Sequence, residues 1–217
     1  MEVDLQGNAF CFHPSGALYW RKTRSLLLAD LHLGKESVFQ QSGVAIPSGA
    51  TNATLRVLRT LVQAWKPDRV IVLGDLLHAK IGLTSALEQE IVALVGEGIC
   101  REWMLIPGNH DRGGINALQQ CGWQIADEFV EYHGVEMTHA PDSARNKSSL
   151  LISGHLHPSV RISLNAREKT LLRCFWLHAS QLILPAFGGW TGTKPISPAS
   201  GDRVFACADD EVIELAT

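Results

Sequence analysis

The sequence has no long apolar run, no Cys-x-x-Cys pair, no surplus of positive charge and no extended tract of Pro, Gly or Ser. No segment approaches bilayer-spanning length, and Met1-Glu2-Val3-Asp4 lacks the basic flank and apolar core of a leader. No membrane association is expected, and the chain is placed in the cytoplasm. Five cysteines, Cys11, Cys100, Cys121, Cys174 and Cys207, are scattered through apolar surroundings. An odd, dispersed set does not make a disulfide framework; it fits a reducing compartment and reads as small core residues. A formal net charge of −3 gives no global attraction for nucleic acid, although a local basic groove is compatible with it. Internal repeats are absent too, so the 217 residues are expected to form a single domain, 1–217, around a sizeable core.

What is present is a series of short apolar runs. Phe10 and Phe12 before Pro14-Ser15-Gly16, with Leu18 and Trp20 after it, alternate as a hairpin does. Gly34-Lys35-Glu36 opens a stretch expected to be irregular as far as Ile46-Pro47-Ser48. From Gly49 to Trp65, Leu55, Leu58, Leu61, Val62 and Trp65 recur at helical spacing until Lys66-Pro67. Ser85-Ala86-Leu87-Glu88 has capping-box spacing and announces a second helix with Leu87, Ile91, Leu94 and Val95 on its apolar face, closed by Gly96 and Gly98. A short helical stretch runs through Leu118. From Phe129 onward the pattern is of strands joined by short turns: 129–139 about His133-Gly134, 148–163 interrupted at Gly154, 171–187 about His178-Ala179-Ser180, and 204–215 about Asp209-Asp210. An α/β first half followed by a strand-rich second half predicts two sheets packed face to face, with helices outside them.

Five of the apolar runs end in polar residues of one chemical kind. Leu26-Leu27-Leu28-Ala29 meets Asp30-Leu31-His32, and Val70-Ile71-Val72-Leu73 meets Gly74-Asp75. Trp103-Met104-Leu105-Ile106 meets Pro107-Gly108-Asn109-His110-Asp111. Val135-Glu136-Met137-Thr138 ends at His139, and Leu150-Leu151-Ile152-Ser153 ends at Gly154-His155-Leu156-His157. The carboxyl ends of strands are where open α/β sheets bind ligands. Each cluster alone is commonplace, but five together supply Asp, Asn and His beyond the need of one metal ion. Carboxylate, amide oxygen and imidazole without thiolate suit manganese, iron or zinc. Two such ions, ~3.5–4 Å apart and sharing an aspartate, can clamp a phosphoryl group and activate water at neutral pH. Hydrolysis of a phosphate ester is the chemistry expected.

The order Asp-x-His, Gly-Asp, Gly-Asn-His-Asp, His, Gly-His-x-His, from about Leu27 to Pro158, resembles the calcineurin-like metallophosphoesterase superfamily. The resemblance implies a four-layer αββα sandwich of two mixed β-sheets flanked by helices. It also implies Asp30, His32 and His157 for one ion, Asn109, His139 and His155 for the other, and Asp75 bridging them. Thr138 stands where many relatives carry Gly, a departure that changes no ligand. His110, beside Asn109 but outside the ligand set, is placed to act as general acid or to stabilise phosphate charge, and Asp111 to orient its imidazole. Arg112 could reach a phosphate oxygen through its planar fork, and His78 could contact substrate from the loop after Asp75.

Three further stretches, Leu28 to Glu36, Gly74 to His78 and Leu184 to Gly192, resemble the bacterial ligase-associated DNA damage response phosphoesterases over nearly the whole chain. That resemblance implies a manganese-dependent endonuclease acting on single-stranded DNA in DNA repair, in functional association with a DNA ligase, a helicase and an exonuclease. The residues themselves leave other readings open: a phosphodiesterase or phosphatase acting on small nucleotides or other small phosphate esters, or a non-catalytic interaction module. The complete ligand set and intact Gly-Asn-His-Asp count against the last. Gly188 to Gly192 reads as a turn able to approach a ligand closely, and Trp190 as a residue able to stack on a base.

Overall fold

Seven strands make the first sheet: β1 (Glu2–Leu5), β2 (Asn8–Phe12), β3 (Leu18–Trp20), β4 (Ser25–Leu28), β5 (Arg69–Leu73), β6 (Glu102–Ile106) and β7 (Gln124–Ile125), in that spatial order. The computed structural model from which these elements are taken describes residues 1–141, 149–163 and 169–216. β4 to β7 are parallel, and β1 to β4 pair as antiparallel neighbours. Successive side chains of a strand point to opposite faces. In β4, Leu26 and Leu28 therefore enter one apolar cluster while Leu27 enters another; Val70 and Val72 part from Ile71 and Leu73 in the same way in β5. Both faces of these strands are covered, which is why their sequences are apolar without alternation.

The helices cover one face. α1 (Lys35–Gln41), α2 (Ala50–Trp65), α3 (Ser85–Gly96) and α4 (Ile115–Gln120) all precede the second sheet in the chain. Leu55, Leu58, Leu61 and Val62 of α2, with Leu87, Ile91 and Leu94 of α3, bury against Leu26, Leu28, Val70, Val72, Trp103 and Leu105.

Against the other face lies the second sheet, β8 (Phe129–Tyr132), β9 (Val135–Thr138), β10 (Leu150–Ser153), β11 (Pro158–Ser163), β12 (Lys169–His178), β13 (Gln181–Ile183), β14 (Lys194–Pro195), β15 (Arg203–Cys207) and β16 (Val212–Leu215). β9, β10 and β13 run parallel in its middle, with antiparallel neighbours to either side, so this sheet is mixed as well. Between the sheets, Phe12 stacks on Phe205 with ring centroids 4.8 Å apart and meets the edge of Phe175 at 4.7 Å. Trp20, Ile71, Val135, Met137 and Ile152 belong to the same cluster.

The α/β sandwich of two mixed sheets with helices is thus the expected one, with three differences in detail. Residues 35–41, expected to be irregular, form α1. Thr84 rather than Ser85 caps α3, its hydroxyl accepting the Leu87 N–H at 3.3 Å. Over the outer face of the second sheet, the small cluster of Val160, Cys174, Val204 and Ala206 is packed by side chains such as Ile196, and among the described residues no helix lies there. Connections such as Ala179-Ser180 leave no length for one. The start of the strand expected from Ser148 falls outside the described residues; β10 is described from Leu150. Cys100, Cys121, Cys174 and Cys207 are buried, as expected of small core residues, whereas Cys11 is only partly buried. Among the described residues, no helix is long and apolar enough to cross a membrane.

Candidate metal centre

Parallel strands bring their carboxyl ends to one edge. β4, β5 and β6 deliver Asp30, His32, Asp75 and Asn109 from the first sheet; β9 and β10 deliver His139, His155 and His157 from the second. All seven residues expected as metal ligands are brought together there. The backbone leaves each strand abruptly: Asp30, His32, Asp75, His155 and His157 have φ between 48° and 70°. Asp and His tolerate this left-handed conformation better than most side chains but still carry strain, held here by surrounding backbone bonds. The Asp30 N–H donates to Gly74 O at 3.1 Å, the His32 N–H to Asp75 O at 2.9 Å and the Gly154 N–H to His139 O at 2.9 Å.

Each carboxylate divides its oxygens between backbone and imidazole. Asp30, fully buried, accepts the His155 N–H through Oδ2 at 2.8 Å, while its Oδ1 is buried without a hydrogen bond and faces His157 Nε2 at 3.3 Å. Asp75 accepts the His110 N–H through Oδ1 at 3.0 Å; its Oδ2 faces His139 Nε2 at 3.6 Å and His32 Nε2 at 3.8 Å. Ring nitrogens also face one another, His32 Nε2 and His157 Nε2 at 3.4 Å, and His155 Nδ1 and His139 Nε2 at 3.0 Å. Asn109 Oδ1 lies 3.2 Å from that same His139 nitrogen. The orphaned Asp30 oxygen and the converging lone pairs fit cations. Two clusters, Asp30-His32-His157 and Asp75-His139-His155, each present ligand atoms within 4.8 Å of one another, and together they suit a dinuclear metal site.

Carbonyls fix the imidazole tautomers. A carbonyl oxygen only accepts, so His139 donates Nδ1–H to Leu73 O at 3.0 Å and His157 donates Nδ1–H to Gly192 O at 3.0 Å, leaving both Nε2 atoms aimed at the carboxylates. Such partners orient metal-ligating histidines. Burial and then the neighbouring His157, His110, His78 and Lys35 push the His32 pKa down to about 2, so this ring is neutral. Burial lowers His155 as well, with His139 adding to it. His157 goes the other way: burial lowers it, but the Asp30 carboxylate close beside it outweighs that and raises it.

His110 lies at the centre, its Nε2 4.0 Å from Asp75 Oδ2 and its Nδ1–H donated to the His78 carbonyl at 2.6 Å. The expectation that Asp111 orients this imidazole is corrected. Asp111 is fully buried and accepts the Leu77 and Gly108 N–H groups, each at 2.9 Å, so it braces the loop after β5 against the loop after β6. Burial raises its pKa to about 6 against the pull of those two donors. His78 is half-buried; its ring stacks on His110 at 5.2 Å and its Nδ1 lies 3.4 Å from His32 Nδ1. Arg112 is exposed and lines a groove of about 250 Å³ with Asn109, Glu128, Thr138, His139 and His155. Thr138 turns its hydroxyl to Glu128 O at 2.9 Å. The sequence reading missed Lys35, whose Nζ donates to Trp190 O at 2.9 Å, and the carbonyls of Leu73, His78 and Gly192, which no side chain advertises.

Residues 23–137 match the calcineurin-like phosphoesterase family. The chain belongs to that family. A nuclease of Pseudomonas putida, MPE, has a crystal structure similar to this phosphoesterase, with a TM-score of 0.83 and 28% identity over 98% of this chain and 99% of that one. YfcE, a phosphoesterase of E. coli, is 15% identical with a TM-score of 0.46 over 88% of this chain and 98% of its own. A protein of unknown function from Aquifex aeolicus is 18% identical with a TM-score of 0.43 over 61% and 78%. No curated protein sequence matches the chain.

Proposed function

We propose that the chain is a dinuclear-metal phosphodiesterase, a manganese-dependent endonuclease that cleaves single-stranded DNA in repair. The observation that carries the reading is the meeting of both sheets' strand ends around the inward oxygens of Asp30 and Asp75. Asp30, His32 and His157 would hold one ion and Asn109, His139 and His155 the other, with Asp75 shared. When bound, such a pair polarises phosphoryl oxygens and supplies the nucleophile at neutral pH. The nuclease class is supported by the likeness to the P. putida nuclease over almost all of both chains. Association with a ligase, a helicase and an exonuclease follows only the resemblance of the sequence.

The chain's own residues supply the proton and the grip. His110 keeps Nδ1–H on the His78 carbonyl, so its protonated ring presents Nε2–H to the cleft and can deliver that proton to the leaving oxygen. Asp111 positions the loops that carry Asp75 and Asn109. Arg112 holds a phosphate of the strand in its groove. His78 borders the cleft beside His110 and His32, so its loss should slow hydrolysis of small diesters as well as DNA, whereas Arg112→Ala should weaken DNA cleavage selectively.

The test is a panel of labelled single strand, duplex and bis(4-nitrophenyl) phosphate with manganese, iron, zinc and magnesium in turn. Manganese-dependent cleavage of the single strand ahead of duplex is expected. Turnover of the small diester with both DNAs intact under every metal would replace the nuclease with a small-ester phosphodiesterase.

A further inference from the structure

Two large aromatic side chains face solvent beside the metal centre. Phe39 on α1 is 37% exposed and Trp190 is 47% exposed. Single exposed aromatics are ordinary, but Lys35 links the ring of one to the backbone of the other. Lys35 and Phe39 are four apart on α1 and so lie on one helix face; the Lys35 Nζ stands 6.0 Å from the Phe39 ring centroid and 2.9 Å from the Trp190 carbonyl oxygen. Lys35 also donates its backbone N–H to His32 O at 3.3 Å, which ties this group to the Asp30-His32-His157 end of the centre.

The two segments are held in place while each ring keeps part of its surface in solvent. The loop that carries Trp190 is tied twice: the Thr191 hydroxyl bonds Gly188 O at 2.8 Å, and Gly192 O receives the His157 Nδ1–H at 3.0 Å. A Cβ on Gly188 would overlap the Leu31 carbonyl, so the loop is seated tightly on the strand end beneath it. Phe39 lies nearly parallel to His78, 17° between ring planes, and His78 in turn to His110, 20° between planes. A row of rings therefore leads from the surface of α1 to the centre of the cleft. A pinned backbone with a ring left in solvent is preorganised for a flat partner, because little freedom remains to be lost on binding.

We propose that Phe39 and Trp190, with Lys35 between them, form a stacking rim that holds a base next to the scissile phosphate of a single strand. The proposal rests on the nuclease reading and names the part of the substrate that this flank recognises. Every base has a π face, so the rim accepts any sequence. In a duplex those faces are occupied by neighbouring bases, so the rim admits only the single strand. Lys35 has three ammonium hydrogens and spends one on the Trp190 carbonyl, leaving donors for a phosphate. Arg112 lies by the other cluster, beside His139 and His155, so the two flanks engage the strand on either side of the shared Asp75.

The experiment uses the full-length, metal-loaded protein with two labelled, phosphorothioate-linked probes of equal length, one of thymidine and one abasic. Wild type should bind the thymidine probe more tightly, and Phe39→Ala and Trp190→Ala should each weaken that probe alone, by roughly 5- to 150-fold, the range of base–aromatic stacking. Trp190→Phe should restore most of the preference. Equal binding of both probes by wild type, or an undiminished thymidine preference in both alanine variants, would overturn the rim. Manganese-dependent cleavage of ordinary single-stranded DNA by wild type is scored separately, so a rim without function and a chain that is not a nuclease give different results.

Discussion

Gly108 sets how closely the loop after β6 approaches Asp75, because a Cβ at this position would overlap the Asp75 carboxylate. Gly108→Ala should therefore destabilise the fold by about 1–3 kcal/mol, as overpacking does, and weaken manganese binding with it. Urea denaturation and metal titration check both, with Gly96→Ala as the control, since a Cβ there meets open space. His110 is the other decisive single position. His110→Ala should keep its metal but lose roughly 10²–10⁴-fold on substrates with poor leaving groups, the usual contribution of a proton donor, and less on nitrophenyl esters. Equal losses on both substrate types would remove the general-acid role, and metal loss would make His110 structural. At this scale the sequence was most informative about side chains that end strands, where Asp30, His32, Asp75, Asn109, His139, His155 and His157 all fall at the common edge. It was silent on the carbonyls that orient the imidazoles, because every residue has a carbonyl. It was misleading for Asp111, whose adjacency to His110 suggested a contact that the buried backbone donors claim instead.

Among the elements, α1 and α2 are joined through Glu36 and Thr51. α2 begins at Ala50 after Gly49, which has no side chain to cap it. Glu36, buried on α1, supplies the cap: its carboxylate accepts the Thr51 N–H at 2.8 Å and the Thr51 hydroxyl at 2.7 Å. Burial pushes the Glu36 pKa up, but these bonds outweigh it and hold it below the ordinary glutamate value. The sign follows: the cap stabilises above the unfolded glutamate pKa and is lost as pH falls through the lower folded one. Glu36→Gln should cost about 1 kcal/mol at neutral pH and flatten the loss of stability below about pH 4; an unchanged acid limb in urea melts at several pH values would refute it. The long elements were legible because Leu55, Leu58, Leu61 and Val62 repeat at helical spacing and the strand runs end in Gly or polar residues. α1 was not, since seven residues opened by an uncapped glycine at φ 77° carry too little periodicity.

The whole molecule is two sheets whose ligands meet at one edge, so metal should fasten the sheets together. Ions that bind only the folded chain stabilise it by mass action, about 2.7 kcal/mol at a free concentration one hundred times Kd. Manganese should raise the melting temperature and chelation should lower it; a melting temperature indifferent to both would place the ions elsewhere. The two-sheet architecture could be read from an α/β half followed by a strand half, whereas the lack of a helix over the second sheet among the described residues depended on turn lengths that periodicity does not report. The most direct test of the central claim is a manganese titration followed by electron paramagnetic resonance. With Asp75 as the proposed shared ligand, its Oδ2 facing both His32 and His139, the account predicts two ions per chain with coupled spins, and Asp75→Asn should abolish the coupling. One ion per chain, or two with independent spins, would contradict the dinuclear centre.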